Sequence, residues 1–201
     1  MQRLELVLAT LLCLFAGAAL AGDKPAPRSA IFSAEGRDNV MIAQSYLGKG
    51  DVDGAEQHAR AALASDPGIA WPHVAMALVL ERREQHDKAG KEFERALALS
   101  PNDGGVLNTY GAWLCGRGDA AGADYAFRRA LEDKAYRSPF QALVNAGRCA
   151  VRGGDWPKGE AYLRRAIAIE PVDRSALLLL AEAELKLGRA FDARAFVQRS
   201  D

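Results

Sequence analysis

The 201 residues carry 26 basic and 26 acidic side chains, three histidines and 49% hydrophobic residues. This composition fits one globular domain or one repeat array and excludes disordered and collagen-like chains. The even balance of charge leaves no surplus of Lys and Arg to neutralise a run of phosphates, which argues against nucleic-acid recognition.

Arg3 and Glu5 precede an uncharged apolar run from Leu6 to Ala21. Its 16 residues fall short of the about 20 that a helix needs to cross a bilayer. Residues 1–21 therefore read as an export signal, with Ala19-Leu20-Ala21 supplying the small residues of a cleavage site and Gly22 as the first mature residue. Cys13 invites comparison with lipoprotein cleavage sites, but Leu12 is too large for the position before such a cysteine. Leu14 and Phe15 then continue the apolar run, so lipidation at Cys13 is disfavoured. The expected location is the periplasm. Residues 22–35, with Pro25 and Pro27 and no helical period, read as a flexible tether.

Beyond the tether the chain repeats itself. Pro67 and Pro101 lie 34 residues apart, and Pro171 lies 70 beyond Pro101, which is two such periods and a two-residue insertion. A period of 34 is the tetratricopeptide spacing. With each proline at repeat position 32, repeats start at Gly36, Ala70, Gly104, Phe140 and Arg174, the last reading as truncated, and the repeat domain spans residues 36–201. Position 8, where the first helix of a pair must approach the second, reads Ala43, Ala77, Gly111, Gly147 and Ala181. Position 20 on the facing helix reads Ala55, Ala89, Ala123, Gly159 and Ala193. Larger apolar residues recur at position 7 (Ile42, Met76, Tyr110, Leu180) and position 24 (Phe93, Phe127, Leu163, Val197).

The turns within the pairs, Gly48-Lys49-Gly50-Asp51, Gly116-Arg117-Gly118-Asp119, Gly153-Gly154-Asp155 and Gly188-Arg189, place a glycine able to end one helix before, in most cases, an Asp able to cap the next. The expected fold is all-α, a right-handed superhelix of about five helix pairs with the first helices lining a concave surface.

Three segments are more distinctive than repeat positions. Leu107-Asn108-Thr109-Tyr110-Gly111-Ala112-Trp113-Leu114-Cys115 comes first, followed by Ala130-Leu131-Glu132-Asp133 leading to Tyr136-Arg137-Ser138-Pro139. Asn145-Ala146-Gly147-Arg148-Cys149-Ala150 completes the set. Over residues 36–199 the chain resembles the type IV pilus biogenesis and stability proteins of the PilW/PilF type, a tetratricopeptide-repeat pilotin family. The resemblance implies a non-enzymatic periplasmic scaffold, associated with the outer membrane, that helps the pilus secretin assemble and remain stable. Its partners would be the secretin or other pilus assembly proteins. The alternative reading is a general periplasmic repeat adaptor for a cell-envelope complex.

In an oxidising compartment Cys115 and Cys149, both late on first helices of adjacent repeats, are placed either to bond or to fill tight helix contacts as free thiols. Catalytic residues are not evident. His58, His73 and His86 share no metal-ligand spacing with each other or with a cysteine, so neither a metal nor a cofactor nor a small-molecule substrate is expected. Groove-lining positions nominate Trp71, Val74, Leu78, Asn108, Ala112, Val144 and Arg148 as protein contacts. Trp71 is the leading anchor, because a Trp buries a large area with few torsions. The last helix pair carries no polar capping helix, and self-association through it is expected.

Overall fold

The computed structural model describes residues 32–200; the segment read above as an export signal, Cys13 and most of the segment read as a tether lie outside them. The described residues form ten helices: α1 (Ala34–Lys49), α2 (Val52–Ser65), α3 (Ala70–Arg82), α4 (His86–Leu99), α5 (Gly104–Gly116), α6 (Ala120–Glu132), α7 (Pro139–Arg152), α8 (Trp156–Ile169), α9 (Arg174–Lys186) and α10 (Ala190–Ser200). No strand occurs among them, and none of these helices is long and apolar enough to cross a membrane.

The period has a local cause. Asp66, Ser100 and Glu170 each end a second helix, and each precedes a proline. The proline ring disfavours the helical conformation in the residue before it. Accordingly the three adopt nearly the same bent-out backbone, with φ/ψ of −135°/62°, −141°/74° and −123°/89°. Within each pair the turn is set at repeat position 15, which has positive φ in all five repeats. Four of these residues are glycines (Gly50, Gly118, Gly154, Gly188, φ near 80°), and the fifth is Glu84 at φ 60°. Asp51, Asp119 and Asp155 then accept a backbone N–H of the next helix. The second pair has neither device: Gln85 begins α4 without a side-chain bond.

The first helix begins earlier than the repeat count places it. Ser33 caps α1 through Gly36 N–H, and its own hydroxyl donates to Asp66 Oδ2 at 2.6 Å, while Phe32 packs on the first core cluster. Residues 32–35 thus belong to the first hairpin, not to the tether.

The small residues at positions 8 and 20 are buried where the helices of a pair cross. At Gly111 a Cβ would lie 2.9 Å from Phe127, and at Gly147 one would lie 2.5 Å from Leu163, so absent side chains on one helix make room for large ones on the other. Phe93, Phe127 and Leu163 at position 24 are fully buried, each contributing about 1.5–3 kcal/mol. Position 7 of the first repeat and position 24 of the last behave differently. Ile42 is 39% exposed and Val197 42%, because no neighbouring hairpin among the described residues covers them. Phe191 (86%) and Leu185 (59%) add to the apolar surface of the last hairpin.

Successive first helices touch one another directly, whereas successive second helices do not. The inner layer is therefore the shorter one, and the stack curves into a superhelix with α1, α3, α5, α7 and α9 on its inside. The wider outer layer is bridged by long polar side chains. Arg83 pairs with Asp53 and Glu56 of α2 at 2.5 and 2.6 Å, and the Tyr162 hydroxyl donates to Asp124 Oδ1 at 2.8 Å. Burial, reinforced by that bond, pushes the Tyr162 phenol up to about 12. At the last joint the fully buried Glu184 pairs with Arg164 and Arg189, which both also reach Glu160. Burial pushes the Glu160 carboxyl up, but hydrogen bonds from the two guanidiniums outweigh it and hold the group below its ordinary value.

On the inner layer Cys115 of α5 and Cys149 of α7 form a disulfide, with Cα atoms 5.8 Å apart and 34 residues enclosed. It ties two first helices of adjacent hairpins.

Two outcomes follow. Reduction should lower the stability of the array by about 3–4 kcal/mol in the chain-entropy account, read from urea unfolding with and without dithiothreitol. Glu84→Gly should raise stability by about 1 kcal/mol, since it relieves the left-handed cost of a side chain at less than that in chain entropy; a midpoint at or below that of the parent contradicts this.

Candidate functional site

The inner face is not uniform. A cleft of about 530 Å³ opens near the N-terminal ends of α5 and α7, lined by Trp71 of α3, the start of α5 and the connection from α6 to α7. Its origin lies in a local break of the repeat. Position 32 of the third repeat is Ala135, not proline, and the connection is two residues longer than elsewhere. α6 stops at Glu132, Asp133 takes an extended backbone, and Pro139 opens α7.

Two glycines let this connection settle. A Cβ at Gly104 would lie 2.6 Å from Tyr136 Cβ and 2.8 Å from the Ala130 carbonyl oxygen, and one at Gly105 would lie 2.7 Å from Trp71 Cζ2. Tyr136 and Trp71 therefore rest on consecutive bare positions of α5. The donors at that helix end are all engaged. Asp103 Oδ1 accepts from Gly105 and Val106 N–H at 2.8 and 3.0 Å, and Asp133 accepts from Gly104 and Ala135 N–H, both at 2.8 Å. Those backbone bonds, Gly104 first, hold the Asp133 carboxyl below the usual carboxylate range. Burial and the Asp103 charge push the Tyr136 phenol up.

Across the cleft the first helices are linked by amides. Gln141 Nε2 donates to Asn145 Oδ1, and Asn145 Nδ2 donates to Asn108 Oδ1, each at 3.1 Å. Further along, Arg148 donates to Ser175 Oγ at 3.3 Å.

The nominated contacts divide. Trp71 and Asn108 line the cleft, Ala112 and Arg148 are exposed, and Leu78 is half-buried against the two N-terminal clusters. Val74 and Val144 are not surface residues. Both stand at repeat position 5, between neighbouring hairpins, and are buried in the core; Asn108 at the same position stays half-exposed. Trp71 also packs against both N-terminal clusters, so it joins two hairpins as well as facing the cleft. Gln141 stands at the inward-facing position 2 of its repeat, whereas Tyr136, Asp133 and Asp103 are residues that spacing alone misses. The two-residue insertion and the Gly104-Gly105 pair were the signals for them.

Next to the cleft, the joint of α4 and α5 is wider than the other joints between pairs and is filled by rings. Trp113 packs on Phe93 and Tyr110 at centroid distances of 5.1 and 5.7 Å, and its indole N–H donates to Glu81 Oε2 at 2.8 Å. Burial pushes Glu81 up, but bonds to His86 and Trp113 and the charges of His86 and Arg117 hold its carboxyl below the ordinary value. Among the described residues, no group of three or more His, Cys, Asp or Glu side chains is arranged to hold a metal ion.

The family described as "Tetratricopeptide repeat" matches residues 40–104 and 144–201, more than half of the chain. The chain belongs to the tetratricopeptide-repeat family. Within this family it is 26% identical over 166 residues to the type IV pilus assembly protein PilF of Pseudomonas aeruginosa, covering 81% of this chain. It spans just under two thirds, 65%, of the length of that relative. The crystal structure of PilW, described as a widely conserved type IV pilus biogenesis factor, superposes with a TM-score of 0.75 at 29% identity over 84% of this chain and 77% of PilW. A structure of Pseudomonas aeruginosa PilF gives the same TM-score at 23% identity, over 83% of this chain and 75% of that one, and shares the repeat fold.

Gly104→Ala should destabilise the array by about 1–3 kcal/mol despite the better helix propensity of Ala, because the added methyl meets a backbone oxygen that cannot swing aside. A denaturation midpoint unchanged or raised contradicts this packing.

Proposed function

We propose that this tetratricopeptide-repeat chain is a non-enzymatic docking scaffold of type IV pilus biogenesis, exported to the periplasm and associated with the outer membrane, that assists assembly and stability of the pilus secretin. The observation that carries the reading is the similarity to PilF and PilW along more than four fifths of the chain. The geometry agrees with it: a curved inner face with an aromatic and amide-lined cleft suits a protein segment, and the disulfide suits an oxidising compartment. A rigid stack of helix pairs binds by presenting a preformed surface, which spares the ordering cost that a mobile loop would incur.

The test is genetic and biochemical together. A strain lacking the protein should lose surface pili and heat-stable secretin multimers on a gel, and both should return with the parent gene. Trp71→Ala should weaken binding of the partner by more than about 1 kcal/mol while circular dichroism still reports a helical array. A deletion strain with normal pili and normal secretin multimers overturns the reading.

A further inference from the structure

The cleft beside α5 has a sign. A bare helix N-terminus attracts anions through its unpaired N–H groups, but here the N–H groups of Gly104, Gly105 and Val106 already bind the chain's own Asp133 and Asp103. At the α5 end an incoming anion therefore finds two carboxylates in place of free donors, whereas the start of α7 has no side-chain cap. Arg137 is the one cation lining the cleft, and it forms no ion pair with Asp103 or Asp133 among the described residues. Two carboxylates held by backbone bonds outweigh the positive charge of about one half at the α5 N-terminus and leave that end of the cleft negative.

Its walls carry a second preference. Trp71 and Tyr136 are both half-buried and both line the cleft. Aromatic faces attract cations, most strongly Trp. A third feature concerns the backbone of an occupant. The chain of bonds from Gln141 through Asn145 to Asn108 leaves the Asn108 amide group and the Gln141 carbonyl without partners among the described residues. If all three amides are turned over, one donor and one acceptor still remain at the ends. An extended peptide offers one acceptor and one donor per residue.

We infer that this cleft takes a lysine or arginine side chain from an extended segment of the partner protein, the cation lying against Trp71 and Tyr136 near Asp103 and Asp133, with the segment's backbone on Asn108 and Gln141. The inference rests on the reading of the inner face as a protein-docking surface. It commits the partner segment to carry a basic residue at its anchor, where an acidic carboxy-terminal tail would be repelled.

The experiment uses the exported form of the chain, labelled with ¹⁵N, and three acetylated and amidated pentapeptides with alanines flanking a central arginine, norleucine or glutamate. The arginine peptide should shift the Gly104 and Gly105 amide signals and the Trp71 indole signal, and bind about tenfold more tightly than the norleucine peptide, with the advantage shrinking at high salt. Asp103→Asn keeps a capping oxygen but removes the charge, and should lower affinity for the arginine peptide while leaving the norleucine peptide unchanged. Equal binding of arginine and norleucine, preference for glutamate, shifts confined to other surfaces, or no shift with any peptide at millimolar concentration overturns the inference. A pilus-positive deletion strain would overturn the pilus role but not a measured arginine preference in this cleft, so the two failures are told apart.

Discussion

Two helices of a hairpin can lie against one another only where one backbone meets the other without intervening bulk, and that condition organises everything else in this molecule. Ala and Gly at positions 8 and 20 bring each pair together, and in the three middle hairpins one large side chain at position 24 is enclosed completely. Phe127 illustrates the coupling: it is fully buried because Gly111 has no Cβ to meet it. An alanine at that crossing would lose contact on the order of what the phenyl ring gains by burial. Close pairing also fixes the spacing of first helices, and unequal spacing of the two layers bends the stack. Curvature is thus a consequence of side-chain size at a few positions, and the concave face is its functional product.

Where the repeat is kept, hairpins follow one another at a constant interval; where it is broken, a cleft opens. In the first, second and fourth repeats a proline stops the second helix at the same point, and the next helix begins after a short connection of constant length. The third repeat lacks that proline and spends two extra residues on the connection, which brings Asp133 and Tyr136 onto the start of α5. The same hairpin holds the disulfide and abuts the aromatic filling around Trp113. Covalent and aromatic reinforcement are therefore concentrated in the part of the array that gives up regular packing. The joint between the last two hairpins carries instead the paired Glu184 with Arg164 and Arg189.

Much of the fold was legible because it depends on residue size at a fixed period, a property that sequence carries directly. Helix pairs, their crossings and the glycine turns follow from it. The turn of the second hairpin did not show, since Glu84 takes the left-handed conformation without being glycine, held there by the same geometry that glycine serves in the other four. Site residues were less legible. Counting helical positions puts Val74, Asn108 and Val144 in one class, yet of these three only the polar member is left partly open, because the seam with the next hairpin buries the valines; Leu178, at the same position of the last hairpin, is exposed. Tyr136 lies outside every helix, so no periodic rule reaches it; its place depends on how the insertion folds back over two glycines. Sequence alone does not decide the pairing of Cys115 with Cys149, because thiols and a bond fit the same positions, and a Cα separation of 5.8 Å between α5 and α7 is what admits the bond.

Net charge conceals what the inner face presents. The chain balances 26 cations against 26 anions, but carboxylates at helix starts are not all equivalent to free charge. A helix N-terminus carries about half a positive charge, which one capping carboxylate more than offsets. At α9 the single Asp173 performs that role through Ala176 N–H. At α5 two carboxylates converge on one helix end, Asp103 from the turn before it and Asp133 from the following connection. The excess of negative charge there is therefore a local product of the insertion, created by adding a second cap to an end that needed only one. It sits beside two aromatic rings that the adjoining glycines admit. The irregularity that opens the cleft also decides its charge, and this ties what the surface can hold to the same few residues that shape it.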